Sequence, residues 1–364
     1  MTLPGNLPRA ADRPDPLHAA PPADVESRLA AYRDRVLPLI RESVPQREPR
    51  KYLYDLVDAH MARAGKGLRP ALCLATCRAF GGSDEQALPS AAALEVLHNA
   101  FLVHDDVEDG SEYRRDRPTM HRQYGVPIAV NAGDAMNALS LRILRRNLAL
   151  HGPETTWRVF DEFDHMMMET MEGQAMELGW IRDNDCTATD DDYLLMVLKK
   201  TCWYSFIHPC RVGALVSGNA GPARGNLDAF NRFGYFLGAA FQIQDDVLNL
   251  KGDRGKYGKE IGGDLLEGKR TLVLAHLFRS CEPQEKQRLK AFFAKPRAQR
   301  LPRDVAWIYD LLGRHGSIEY ARSAARQLVE AARREFDGAY GGATPGPDLT
   351  FLRDLLGYMV ARDA

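Results

Sequence analysis

Residues 94–109 read LEVLHNAFLVHDDVED, an apolar stretch with helical spacing that ends in a cluster of carboxylates. Residues 233–249, FGYFLGAAFQIQDDVLN, repeat this arrangement with a second Asp-Asp pair. Side chains four residues apart share one face of a helix, so Asp105 and Asp109 point the same way and repel each other unless a counter-ion lies between them. One such pair could be ordinary solvated surface. Two pairs after long apolar stretches predict two helical walls that share a divalent metal cluster, as a diphosphate-binding site requires.

The two acidic motifs offer oxygen ligands only, which favours a hard cation. Mg²⁺ usually takes one or two carboxylates and completes its coordination with substrate phosphates and water. The candidate metal ligands are Asp105, Asp106, Asp109, Asp245, Asp246 and Asn249.

Helical periodicity dominates the chain from residue 24 onward, and alternating strand patterns with hairpin turns are not apparent. Thr189 followed by Asp192 predicts a capped helix start, and Gly152-Pro153 predicts a break. The pattern therefore predicts a single all-α bundle. The predicted helices are 24–42, 51–63, 68–80, 86–109, 127–150, 154–182, 191–218, 226–251, 270–280, 305–313, 316–338 and 349–361.

Composition narrows the class of protein further. Residues 1–23 are rich in Pro and Ala and predict a disordered leader before one domain over 24–364. They lack a secretory apolar core, and no later stretch reaches about 18 apolar residues, so we expect a cytoplasmic protein without a membrane span. A formal net charge of −1 argues against a broad nucleic-acid surface, so any basic site must be local. The six cysteines show no zinc-ligand spacing and are expected to be buried free thiols.

Basic motifs lie beside both acidic ones. Residues 65–70 (GKGLRP) place Lys66 and Arg69 at a helix start, where free backbone N–H groups already favour anions. Arg114 and Arg115 follow the first acidic motif, and the glycine- and lysine-rich segment 255–269 follows the second. Arginine suits phosphate oxygens bidentately, while lysine supplies a mobile point charge. These motifs predict a site for phosphate groups.

Together these motifs resemble the trans-isoprenyl diphosphate synthases of the polyprenyl synthetase family, over about residues 40–340. The resemblance rests on the ordered set GKGLRP, HNAFLVHDDVED, RRDRPT, GQ, KT, FQIQDD and GKEIGGDLLEGK. It implies the isoprenoid-synthase type of helical bundle, a homodimer, and three Mg²⁺ ions per site, for which Mn²⁺ can substitute. The implied reaction joins isopentenyl diphosphate head to tail to an allylic diphosphate, which is dimethylallyl, geranyl or farnesyl diphosphate.

The resemblance also implies a role for each matching residue. The aspartates of both motifs would hold the metals, with Asp105, Asp106 and Asp245 essential for catalysis. The allylic diphosphate would contact Arg114, Lys200 and Lys259, with Lys269 at the end of the same flap. Isopentenyl diphosphate would be held by Lys66, Arg69, His98 and Arg115, and the forming charge would lie near Gln174, Thr201 and Gln242.

Three positions depart from the family's usual motifs. Gly67 replaces a basic residue, Asp116 replaces a glycine, and Asn249 replaces the last aspartate of the second motif. The changes at Gly67 and Asp116 affect how well the predicted isopentenyl diphosphate site fits the family pattern. We expect Asn249 to weaken metal binding at that wall without abolishing activity, because a neutral amide removes one negative charge.

The turns before Asp105 are expected to line the pocket for the growing chain. There Ala100 is small and Phe101 is large, so the two cues conflict. By resemblance geranylgeranyl diphosphate (C20) is the first expectation for the product and farnesyl diphosphate (C15) the second, with longer products also open; alternatively, Phe101 is ordinary core.

Three other functions fit parts of the sequence. A terpene cyclase could use the same metals without a second diphosphate site. The pairs Glu95-x-x-His98 and Glu162-x-x-His165 are typical of di-iron carboxylate bundles, with Glu169, Glu172 and Glu177 as candidates for further carboxylates. That hypothesis leaves the Asp pairs unexplained; under the preferred one, Glu162 and His165 are ordinary helix-surface residues. A regulatory synthase subunit is disfavoured because neither acidic motif is degraded.

Overall fold

The long apolar stretches form helices in a computed structural model of the chain. The structure describes residues 24–63, 65–218, 227–251 and 261–361, so the predicted leader 1–23 and Lys259 lie outside the described residues. The all-α class is confirmed. The first nine helices are α1 (Asp24–Ser43), α2 (Asp55–Met61), α3 (Leu68–Ala79), α4 (Asp84–Glu108), α5 (Met120–Tyr124), α6 (Val126–Leu144), α7 (Asn147–Arg182), α8 (Asp190–Val197) and α9 (His208–Val216).

The second part of the bundle begins with the helix that carries the second acidic motif. Its helices are α10 (Ala229–Lys251), α11 (Gly263–Glu267), α12 (Leu272–Ser280), α13 (Pro283–Phe293), α14 (Pro302–Arg314), α15 (Ser317–Tyr340) and α16 (Pro347–Ala361). The sequence did not predict α5, α11 or α13. The first two are single five-residue turns, and α13 is strongly polar, so its apolar period is weak.

The sequence showed no strand pattern with a hairpin turn, but the structure contains one short hairpin. Strands Tyr113–Arg114 (β1) and Arg117–Pro118 (β2) pair as an antiparallel hairpin directly after the first acidic motif. Arg115 and Asp116 form its two-residue turn, and both have positive φ, +52° and +57°. Such turns normally carry Asn-Gly or Asp-Gly, so Arg-Asp gave no recognisable signal.

Helices α4 and α10 lie in the middle of the bundle. α4 packs against α3 and α6, and α10 packs against α15 and the segment between α8 and α9. Their inner faces are closed by fully buried side chains such as Leu94, Leu97 and Phe233, each of which stabilises the fold by about 1.5–3 kcal/mol. Both helices therefore present their C-terminal, acidic ends from a rigid core.

The segment Leu198–Ile207 joins α8 to α9 as a wide π-helical stretch, a form frequent at functional sites. Gly173 of α7 permits its close approach, because a Cβ atom there would lie 2.3 Å from the backbone nitrogen of Lys200. The predicted cap at the start of α8 is confirmed: the backbone N–H of Asp192 donates to Oγ1 of Thr189 at 3.2 Å. α7 is broken at Gly152, where φ is +71°.

No helix among residues 24–63, 65–218, 227–251 and 261–361 combines the length and apolar character needed to cross a bilayer. All six cysteines are free thiols, and only Cys186 is partly exposed. The expectation of buried free thiols is thus met at the other five.

Candidate active site

Two connected cavities open between the acidic ends of α4 and α10. The larger has a volume of about 590 Å³ and lies between α4, α7, the π-helical segment and α10. The smaller, about 140 Å³, lies against the GKGLRP loop. Most of the predicted site residues line these cavities. Those around the larger are Lys66, Arg69, His98, Phe101, Asp105, Arg114, Arg115, Gln174, Lys200, Thr201, Gln242, Asp245 and Lys269.

Asp105 faces the larger cavity and is held by two cations. Its Oδ2 atom accepts from the guanidinium of Arg114 at 3.0 Å, and its Oδ1 atom from Nζ of Lys200 at 3.3 Å. Lys200 also forms a short ion pair with Glu177, a buried residue of α7. The acidic wall is therefore already neutralised by the side chains that we expected to bind phosphate.

Asp106, also predicted to be a metal ligand, is placed differently from Asp105. Its carboxylate is turned into the protein, where Oδ1 accepts from Nε of Arg114 at 2.6 Å. Consecutive residues of a helix point about 100° apart, so Asp106 cannot share the face of Asp105 and Asp109. It anchors Arg114 instead.

Asp109 lies one turn beyond Asp105 and is 1% exposed. Its carboxylate is 2.6 Å from Nζ of Lys269, which also lies 3.4 Å from Glu267. Burial raises the pKa of Asp109 to about 7, and the Lys269 ammonium opposes the rise. Lys269, the last residue of the predicted flap, thus reaches across to the first acidic motif.

The second wall is a hydrogen-bonded chain of polar groups. Asp245 lines the larger cavity, and Asp245 and Asp246 both line a small recess beside it. Asp246 accepts from the hydroxyl of Tyr193 at 2.7 Å and from Nε2 of Gln242 at 2.9 Å. The amide oxygen of Gln242 accepts from Oγ1 of Thr201 at 2.9 Å, which fixes the orientation of the amide. Burial raises the pKa of Asp246 to about 7, while both hydrogen bonds lower it.

Asn249, also predicted to be a metal ligand, lines neither cavity. The residue is buried, and its Oδ1 atom accepts from the backbone N–H of Asp264 at 3.1 Å. Asn249 thereby caps the short helix α11, whose N-terminal N–H groups lack partners within the helix. Asp264 lines the recess together with Asp245 and Asp246, and the sequence analysis did not single it out.

The residues present fit a hard divalent cation by their chemistry. The carboxylates offer oxygen ligands, and burial disfavours the charged form of Asp109 and Asp246, a cost that a nearby cation offsets. Within the described part of the chain, however, no three metal-ligating side chains come together as a preformed site. Mg²⁺ needs only one or two carboxylates when phosphate oxygens complete its coordination, so the fit is to metal together with a diphosphate.

The smaller cavity is cationic and lacks aspartate. It is lined by Lys66, Arg69, His98 and Arg115, and these four residues also line the larger cavity. The guanidinium of Arg69 donates to the hydroxyls of Tyr204 at 2.8 Å and Ser205 at 2.7 Å.

Burial and the neighbouring Arg69 and Arg115 hold the pKa of His98 well below its usual range, so its imidazole is neutral. Glu95 lies beneath the cations as a buried carboxylate, and burial raises its pKa against the opposing charges of Arg69 and Arg115. A cavity with these groups is suited to a polyanion.

Gly67 departs from the family's basic residue for a visible reason. Its φ is +69°, and a Cβ atom there would lie 2.6 Å from Cβ of Arg33 on α1. Arg33 therefore occupies the space of the absent side chain, and its guanidinium donates to the carbonyl oxygen of Gly65 at 3.4 Å. Arg33 lines neither cavity, and its guanidinium also pairs with Asp34 at 2.9 Å.

Phe101 lines the larger cavity, and Ala100 does not. Phe101 packs edge-on against Tyr204 with ring centroids 5.5 Å apart. Ala100 is fully buried in the core on another face of α4, so the predicted conflict between the two residues does not arise. Gln174, on the opposite side of the cavity, donates to Glu108 at 2.7 Å.

Sequence reasoning missed several residues of the site. Glu177 could have been found, because it lies four residues after Gly173 and so shares a helix face near Gln174. Tyr193, Tyr204 and Asp264 carried no signal, since each reaches the site from an element whose position depends on packing.

Glu162 and His165, expected on the helix surface, belong to a separate polar cluster. Glu162 is buried and accepts from Arg211 at 2.7 Å and from Nδ1 of His208 at 2.6 Å. His165 lies 3.0 Å from the other ring nitrogen of His208. Glu95 and His98 line the smaller cavity instead, so the two Glu-x-x-His pairs do not meet in a di-iron arrangement.

Known proteins share both the sequence and the fold. Residues 50–312 match the family described as polyprenyl synthetase. The geranylgeranyl pyrophosphate synthase of Geoglobus acetivorans is 31% identical over 93% of this chain and 98% of its own length. The crystal structure of geranylgeranyl pyrophosphate synthetase from Pyrococcus horikoshii has a TM-score of 0.81 at 32% identity, covering 93% of this chain and 98% of that one.

A third similar protein is the polyprenyl synthase of Caulobacter crescentus, whose crystal structure is a complex with calcium and isoprenyl diphosphate. Its TM-score is 0.82 at 26% identity, covering 95% of this chain and 100% of that one.

Proposed function

This chain belongs to the polyprenyl synthetase family, and we propose that it condenses isopentenyl diphosphate head to tail with an allylic diphosphate. The observation that carries this proposal is the pair of adjoining cavities, which share Lys66, Arg69, His98 and Arg115; the larger also contains Asp105 and Asp245, and the smaller has no aspartate. One diphosphate would be held through metal ions and the other through cationic side chains, and the two would meet where the cavities share these four residues.

The allylic diphosphate would bind in the larger cavity between the two acidic walls. Asp105, Asp109 and Asp245 are the side chains suited to hold Mg²⁺, and we infer three ions per site, with Mn²⁺ able to substitute. When bound, the metal neutralises charge on the departing diphosphate. Arg114, Lys200 and Lys269 would bind further phosphate oxygens; Lys259 is proposed by family resemblance alone.

The reaction needs no nucleophilic side chain. The carbon–oxygen bond of the allylic diphosphate breaks, and its electron pair leaves with the diphosphate. The terminal alkene carbon of isopentenyl diphosphate then forms a bond to the allylic carbon, and loss of a proton to the released diphosphate restores a double bond. The cationic side chains stabilise charge where it develops on the leaving group. Gln242, whose amide is oriented by Thr201 and Asp246, would lie beside the leaving group.

We propose geranylgeranyl diphosphate as the product, because similar proteins carry that name and Phe101, the candidate residue that limits chain length, lines the larger cavity. The test is mass analysis of products from purified protein with Mg²⁺, isopentenyl diphosphate and each of the three allylic primers. A C20 product is expected, and a Phe101→Ala variant should make longer chains. A C15 product would contradict the proposed length, and an unchanged product distribution in the variant would make Phe101 ordinary core.

Incubation with an allylic diphosphate alone separates this function from a terpene cyclase. A synthase should leave the primer unelongated, because no isopentenyl diphosphate is present. A cyclic product formed under these conditions would overturn the proposed condensation.

We also infer a homodimer. Large apolar side chains are exposed along α6 and α7, and Met171 among them borders the larger cavity. A second copy that covers this face would complete that side of the cavity. Light scattering after gel filtration should give twice the chain mass; a monomer would contradict the inference. The exposed side chains are Val126, Val130, Leu141, Leu148, Leu150, Trp157, Met168 and Met171.

A further inference from the structure

Both ends of the described chain close the smaller cavity. Leu29 of α1 and Tyr358 and Met359 of α16 lie in its wall, opposite the GKGLRP loop. The family match covers residues 50–312, so α1 and α16 both lie outside it. These two helices pack against α3, which begins directly after that loop.

Tyr358 links the cavity to α1 through a directed chain of hydrogen bonds. Its side chain is 3% exposed, and its hydroxyl lies 3.2 Å from Nζ of Lys66 and 2.9 Å from Oε1 of Glu26. A lysine ammonium can only donate and an ionised carboxylate can only accept, so Lys66 donates to Tyr358 and Tyr358 donates to Glu26. Nζ of Lys66 also lies 5.7 Å from the centre of the tyrosine ring.

We propose that Tyr358 is a positioning residue that holds Lys66 ready for the diphosphate of isopentenyl diphosphate; this rests on the proposed function. Lysine is a flexible side chain that loses conformational freedom when it binds a ligand. Tyr358 restricts the orientation of the Lys66 ammonium before the ligand arrives.

A purely structural role for Tyr358 is the alternative to separate from this one. The chain offers a matched control in Tyr32, another buried tyrosine that joins the same two helices through a short hydrogen bond to Asp348. Tyr32 does not line either cavity. Removing its hydroxyl loosens α16 from α1 without touching Lys66.

The test compares Tyr358→Phe with Tyr32→Phe in steady-state kinetics. Loss of the hydroxyl of Tyr358 should raise KM for isopentenyl diphosphate by about 3- to 10-fold, the net effect of one ordinary hydrogen bond. KM for the allylic diphosphate and kcat should change by less than about 2-fold. Tyr32→Phe should lower Tm and leave KM for isopentenyl diphosphate unchanged. In a Lys66→Ala background, Tyr358→Phe should not raise KM for isopentenyl diphosphate further, because the ammonium that Tyr358 holds is gone.

A second measurement does not depend on turnover. Titration of inorganic pyrophosphate in the presence of EDTA should show weaker binding to Tyr358→Phe than to wild type. The positioning role alone would be overturned if the wild type is active and Tyr358→Phe has the same KM for isopentenyl diphosphate. It would also be overturned if Tyr32→Phe raises this KM as much as Tyr358→Phe does. A wild type that does not consume isopentenyl diphosphate would overturn the proposed function. If wild type and Tyr358→Phe then also bind pyrophosphate equally well, the positioning role would be overturned too.

Discussion

The ammonium nitrogen of Lys200 lies 3.3 Å from Oδ1 of Asp105, so the π-helical segment and α4 are joined across the larger cavity. Lys200 binds Glu177 of α7 at the same time. One cation therefore ties together three elements that surround the site. A ligand that brings its own cations can release Lys200 to bind phosphate.

Replacement of Lys200 should be far more damaging than replacement of its neighbour. Lys200→Met removes one of the two cations that hold Asp105, the cation paired with Glu177 and a phosphate ligand, so kcat/KM for the allylic diphosphate should fall by about 10²-fold or more. Lys199 is the matched control, because it also binds two carboxylates, Glu169 and Glu172, but outside both cavities. Lys199→Met should retain turnover. Equal losses in the two variants would refute the role of Lys200.

Asp245 and Asn249 lie one turn apart on α10 but should respond differently to alanine. Asp245→Ala removes a carboxylate of the larger cavity and should reduce kcat by about 10²-fold or more. Asn249→Ala removes the cap of α11 and should lower the free energy of unfolding by about 1 kcal/mol while the protein remains active. Kinetics and urea titration of both variants check this. Loss of activity in a stably folded Asn249→Ala would restore Asn249 as a metal ligand.

Asp116 should be replaceable by glycine with a gain in stability. Its φ of +57° is unfavourable for residues with a Cβ atom, and the second turn position of this hairpin type normally carries glycine. We expect Asp116→Gly to raise the free energy of unfolding by about 0.5–1 kcal/mol. Asp116→Ala is the control and should not stabilise. Equal urea midpoints for glycine and alanine variants would exclude backbone strain at this turn.

Glu162 should make stability depend on pH in the acidic range. Burial opposes ionisation of this carboxyl, but hydrogen bonds from His208 and Arg211 lower its pKa from 4.5 to about 2. Burial also lowers the pKa of His208, so Arg211 is the charged partner near neutral pH. Because the pKa of Glu162 is lower in the folded state, its contribution is complete above pH 4.5 and is lost as the pH falls toward 2.

The contribution of Glu162 is on the order of 3 kcal/mol, given 1.36 kcal/mol for each pKa unit between 4.5 and about 2. Urea unfolding of wild type and Glu162→Gln at a series of pH values measures it. The difference between the two proteins should be largest near pH 6 and should shrink below pH 4.5. A difference independent of pH would rule out the ionised carboxylate as its source.

The sequence alone predicted the helical fold, the two acidic walls and the basic groups around them. These features follow from local rules: apolar residues at helical spacing, carboxylates four residues apart, and glycine-rich loops beside lysine and arginine. The same rules could have separated Asp106 from Asp105 and Asp109, because adjacent helical residues point in different directions. Phe101 and Ala100 could have been separated for the same reason.

Tertiary structure decided which polar groups meet. That Lys269 reaches Asp109, that Asn249 caps α11, and that Arg33 fills the space beside Gly67 all depend on how distant helices pack. Tyr358 and Glu26 are 332 positions apart in the chain, and no periodic pattern links them. Helical spacing governs neighbours within a turn or two, whereas the contacts that complete the smaller cavity arise only when the first and last helices are packed against the core.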